Sequence, residues 1–82
     1  MTRSYEFAGY RFEAAPDEAD PRYLRVLVFK DGEPFTDLHG AQMRKAFPLS
    51  ARAERVEQFC RRFAFDDAYR TGVMLKHAFA CC

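Results

Sequence analysis

SARAERVEQFCRRFAF, residues 50–65, is amphipathic at helical spacing. Val56, Phe59, Cys60 and Phe63 recur at i, i+3, i+4 and i+7, which puts four apolar side chains on one stripe. Ser50 is placed to cap the helix by accepting from a first-turn N–H. Pro48 stops any earlier helix from running through. Arg52, Arg55, Arg61 and Arg62 occupy the remaining surface, with Glu54, Glu57 and Gln58 among them. A helix over 51–64 thus offers a core face and a basic display face.

An apolar helix face needs a lid to close against, and the amino-terminal half supplies a sheet. Arg22 to Lys30, RYLRVLVFK, is dense in β-branched and aromatic residues and reads as a strand. Leu24, Val26 and Val28 line one face, while Leu27 and Phe29 on the other predict burial on both sides. Asp31-Gly32 is a strong two-residue hairpin signal. It pairs Lys30 with Glu33, Phe29 with Pro34 and Val28 with Phe35, closing a hairpin over 22–38. Pro34 confines Glu33–Leu38 to an edge, where a missing N–H is tolerated.

Upstream, Tyr5-Glu6-Phe7 and Tyr10-Arg11-Phe12 flank Ala8-Gly9. A two-residue turn there gives a hairpin over 4–15, with four aromatics on one face and Glu6 beside Arg11 on the other. Ala-Gly is weaker turn chemistry than Asn-Gly, so one long strand with a bulge at Gly9 is the rival. The cross-strand charge match favours the hairpin. Residues 15–21, APDEADP, hold two prolines and three acids and form a solvated connector.

Two further helices are expected. Asp37 can cap one over 38–47, burying Leu38, Met43 and Phe47 and ending at Pro48. Asp66 or Asp67 can cap another over 67–80, with Ala68, Thr71, Gly72, Leu75, Ala78 and Phe79 as its stripe. Gly72 costs that helix about 1 kcal/mol unless close packing compensates. Alternatively Thr71-Gly72 is a turn, and Val73, Leu75, His77, Phe79 and Cys81 alternate along a strand. Met, Leu, Lys and Ala favour the helix.

The fold expected is α+β. An antiparallel sheet of about four strands packs against two or three helices in one domain, 1–82. Leu24, Val26, Val28 and Phe35 should meet Val56, Phe59 and Phe63 in the core. At 82 residues the buried fraction of surface is small, so stability is marginal or assisted by self-association or a partner.

The net charge is +1, but it is unevenly placed. Residues 1–40 carry five Lys or Arg against eight Asp or Glu; residues 41–82 carry eight against four. Such asymmetry steers an acidic partner or a phosphate backbone. Arg outnumbers Lys ten to three, and Asn, Ile and Trp are absent. That bias is what a GC-rich gene produces and fits a bacterial or phage source. No apolar run approaches the length of a membrane span, and the amino-terminal residues lack the apolar region of a secretion signal. A cytoplasmic location is the simplest expectation.

Catalytic chemistry finds little to work with. Of three cysteines, Cys60 lies on the apolar stripe, where a thiol is inert; Cys81 and Cys82 are expected to be exposed and reduced. His77, Cys81 and Cys82 form H-x3-C-C, but zinc sites draw on paired ligands at wider spacing, so no metal or cofactor is expected. Ser4 and Ser50 are the only serines, and Ser50 is explained as a cap. The four glycines are scattered among turns and build no phosphate-cradling loop. The chain is therefore not expected to be an enzyme.

Binding remains. Arg44, Lys45, Arg52, Arg55, Arg61 and Arg62 are the expected contact residues. The reading preferred is a small non-catalytic protein that binds a protein or nucleoprotein partner, with self-association also open. Size, source and missing catalytic groups match the general profile of phage or mobile-element inhibitors such as anti-CRISPR proteins, although no motif identifies one. The alternative is direct nucleic-acid binding by the basic helix face, which neutralises phosphates if those cations share a surface.

Overall fold

The computed structural model describes residues 2–80, without the side chain of residue 80. Five strands, β1 (Arg3–Phe7), β2 (Tyr10–Pro16), β3 (Tyr23–Lys30), β4 (Glu33–Pro34) and β5 (Arg44–Pro48), precede two helices, α1 (Ala53–Phe65) and α2 (Asp67–Ala80). The strands form one antiparallel sheet in the order β1-β2-β3-β4, and β5 also pairs with β3. The architecture is α+β, as the sequence predicts.

Both hairpins form in the expected register. Phe7 opposes Tyr10, Glu6 opposes Arg11 and Tyr5 opposes Phe12. Ala8 and Gly9 take φ of 52° and 83°, and Asp31 and Gly32 take 52° and 84°. Two consecutive positive φ values match the right-handed twist of flanking strands. Glycine at the second position meets that demand without a Cβ penalty. Arg11 pairs with Glu13 at 3.2 Å and lies over the Phe29 ring, so its charge is answered along its own strand.

The region expected as a helix over 38–47 is not helical. Phe35 and Met43 both hydrogen-bond to Val28 of β3, and Met43 N–H also donates to Phe35 O. The chain leaves the sheet edge at Phe35, folds back through a Thr36–Gln42 bridge and rejoins it as β5. β4 and β5 are thus two pieces of one edge, separated by a small excursion. Asp37 does accept the backbone N–H groups of His39 and Ala41, but it closes a turn around Gly40 (φ 80°) and no helix follows. Leu38 is exposed, whereas Met43 and Phe47 are buried at strand alternation. The unfilled hydrogen bonds along β3 outweigh the local helix signal.

α1 buries Val56, Phe59, Cys60, Phe63 and Ala64 against the sheet. It starts later than Ser50 predicts. A turn from Pro48 to Ala51 uses up those residues, and Arg52 stands at the N-cap with no side-chain bond. Phe63 is the centre of the core, meeting Tyr10, Phe12 and Phe35 edge-on at 5.6, 5.8 and 6.0 Å. Leu24 and Phe35 pack at its margin. Leu27 and Phe29 are only half-buried, because the helices cover one face of the sheet and leave the other open.

Asp66 ends α1 and caps α2, accepting the Tyr69 N–H at 3.0 Å. The strand alternative for the end of the chain is thereby excluded through residue 80; Cys81 lies outside the described residues. The buried stripe of α2 is rotated from the one expected. Tyr69, Val73, Met74 and Ala78 face the core, while Ala68, Thr71, Gly72, Leu75 and Phe79 face out. Arg70 sets this rotation by donating to the Phe63 and Ala64 carbonyls at the end of α1.

Candidate basic groove

The six expected contact residues do not form one patch. Lys45 lies on β5 with the inward alternation of Phe47, beside α1. Arg55 and Arg62, seven positions apart on α1, align on the flank that faces β5. With Phe47, Gln58, Phe59 and Tyr69 these three cations line a groove of about 320 Å3. Lys45 Nζ and the Arg55 guanidinium sit 5.9 and 5.7 Å from the Phe47 ring, and Arg62 lies over Tyr69 at 4.4 Å. Such ring contacts orient the cations while leaving their charge available. Arg55 and Gln58 also line a neighbouring depression of about 400 Å3 that reaches Pro48, Ser50 and Arg52.

The other two residues lie elsewhere. Arg61 turns to the β1 side of α1, over Phe7 at 4.8 Å and paired with Glu57 at 3.1 Å. Arg44 projects from the opposite face of β5, across from Leu27 on the uncovered side of the sheet.

Pairing sorts the cations further. Arg52 is 3.7 Å from Glu54, and Arg62 is a loose 3.8 Å from Asp66. Among the described residues Arg44, Lys45 and Arg55 have no carboxylate partner. Exposed pairs such as Arg52–Glu54 are worth little; the three unpaired cations are the ones whose field is unanswered.

Several features escape a reading of the sequence. Arg25, between Ala15 and Ala46 on the uncovered face, has a buried Nε without a hydrogen-bond partner. Strand alternation gives its face, but only the topology shows that this face is bare. Tyr69 joins the groove because α2 is rotated as described. At the other end of the helix pair, His77 Nδ1 lies 2.6 Å from Asp37 Oδ2, forty positions away in the chain. Burial alone would raise the Asp37 pKa. Hydrogen bonding to His77 and to the N–H groups of His39 and Ala41 outweighs it and holds the carboxyl below its ordinary range. His77 Nε2 is buried and, among the described residues, has no hydrogen-bond partner.

Cys60 is fully buried, and burial pushes its thiol up to about 12, far from the nucleophilic form at neutral pH. Among the described residues no three His, Cys, Asp or Glu side chains converge as metal ligands. The Cys81 and Cys82 half of the H-x3-C-C run lies outside the described residues. A separate cleft, about 370 Å3, is lined by Tyr5, Ala14, Pro16, Leu24, Leu49, Ala51, Ala53 and Val56, with Arg3 as its one charged residue. None of the expected contact residues reaches it. No helix among the described residues is long and apolar enough to cross a membrane. No protein-family model, curated protein or solved structure matches this chain.

Proposed function

We propose that this protein is a non-catalytic binding module whose working surface is the groove between β5 and α1. The observation that carries the reading is the convergence of Lys45, Arg55 and Arg62 around Phe47 and Tyr69, with Lys45 and Arg55 unpaired. Cations held against rings and lacking internal counter-charges are poised for an acidic surface, where electrostatic complementarity speeds encounter and fixes orientation. The partner is a protein or nucleoprotein that presents carboxylates or phosphates. An inhibitor that occludes such a partner needs a binding face of this kind and no catalytic group.

Direct nucleic-acid binding is the second reading, and Tyr69 is the observation that favours it. A ring flanked by cations can stack a base while they hold the backbone.

Fluorescence anisotropy with labelled poly-glutamate and with a duplex oligonucleotide tests both. Lys45→Glu combined with Arg55→Glu is expected to abolish binding at low salt, whereas Arg61→Glu, on the other flank, leaves it within about twofold. Equal loss from both variants would refer the effect to net charge and contradict a groove. Preference for poly-glutamate supports the first reading; preference for the oligonucleotide with a steep salt slope supports the second.

A further inference from the structure

We infer that β5 binds its partner by strand addition: an extended acidic segment of a protein pairs with the outer edge of Arg44–Pro48. The inference rests on the groove being the working surface and specifies what lies against it.

The backbone supplies the first part of the case. Among the described residues β5 pairs with β3 alone. The bonds from Val28 N–H to Met43 O and from Leu49 N–H to Arg22 O bracket the strand. Antiparallel alternation then turns the backbone groups of Lys45 and Phe47 toward β3 and those of Arg44 and Ala46 outward. Arg44 and Ala46 are exposed, and among the described residues no other strand covers them. Two outward N–H groups and two outward carbonyls form a short template for another chain. Pro48 has no N–H to offer and limits its length.

Charge supplies the second part and names the occupant. Side chains of an added strand alternate between the two faces of the sheet. On the helix side they would meet Lys45, Arg55 and Arg62; on the uncovered side, Arg44 and Arg25. Among the described residues Arg44, Lys45, Arg55 and Arg25 have no carboxylate partner, and the Arg25 Nε is buried and unbonded. Cations therefore flank the free edge on both faces, so an added strand meets counter-charge on whichever face carries its acids. A phosphate backbone would use the cations but not the aligned backbone groups, so an acidic peptide uses more of the surface.

The test compares two labelled peptides of equal charge, Ac-Glu-Val-Glu-Val-Glu-Val-NH2 and Ac-Glu-Pro-Glu-Pro-Glu-Pro-NH2, with a single-stranded oligothymidylate as competitor. The valine peptide is expected to bind about tenfold more tightly, since proline removes half of the other peptide's N–H groups and holds its backbone near polyproline II, away from strand geometry. Ala46→Pro removes an outward N–H while leaving the β3 pairing, and should bring the valine peptide down to the level of the proline one. Equal binding of the two peptides, both abolished by Lys45→Glu with Arg55→Glu, would overturn strand addition and leave the groove standing. No binding of either peptide, or binding indifferent to that charge reversal, would overturn the groove as well. Displacement of both peptides by oligothymidylate at far lower concentration would overturn the peptide as the occupant.

Discussion

Asp37 holds three hydrogen bonds that tie the edge-strand excursion to itself and to α2. Its pKa is lower in the folded chain than the ordinary 3.8, so its contribution to stability is complete above that value and is lost as pH falls through the folded one. Asp37→Asn should therefore be less stable than the parent at about pH 6, with the gap closing below 3.8. Urea denaturation at the two pH values measures it, and a gap that stays constant would show that the carboxylate charge is not what the site uses. This residue shows where legibility ended. Asp37 was readable as a local cap, because Asp accepting N–H groups just downstream is short-range chemistry. Its pairing with His77 was not, because it depends on how α2 is docked.

At the scale of elements, the two turns and the α1 stripe were legible because each is local: turn chemistry and period suffice. The 38–47 region misled because Met43 and Phe47 are four apart, a spacing that fits both a helix face and every second residue of a strand. Only the open edge of β3 decides between them. α2 was legible as an element but not in its rotation, which Arg70 sets through the carbonyls of α1. That rotation leaves Gly72 on the open side, where an added Cβ meets nothing within 4 Å. Gly72→Ala should stabilise the protein by about 1 kcal/mol, read as a higher denaturation midpoint with an unchanged m-value; destabilisation would mean that the glycine is packed. Phe63→Ala removes the ring at which β2, the edge excursion and α1 meet, and should cost about 3–5 kcal/mol by the same measurement. A cost under 1 kcal/mol would contradict a core centred there.

At the scale of the whole molecule, a five-stranded sheet is covered on one face and ends in an edge flanked by unpaired cations. The basic bias of residues 41–82 announced a charged surface, yet the six cations chosen from it divide. Lys45, Arg55 and Arg62 converge, Arg52 borders them, Arg61 faces the far edge, and Arg44 looks onto the bare face of the sheet. Arg25 joins from the acidic half of the chain. Sequence distance could not sort them, because the sorting is done by strand alternation in β5 and by which flank of α1 meets it.

Hydrogen exchange of the Arg44 and Ala46 amides, followed by NMR as the acidic valine peptide is added, probes the edge and the charges together. These two outward N–H groups should gain protection, with shift changes at Lys45, Arg55 and Arg62. Unchanged exchange at both amides, with the shift changes confined to the Arg3–Leu49 cleft or absent, would contradict binding at this edge.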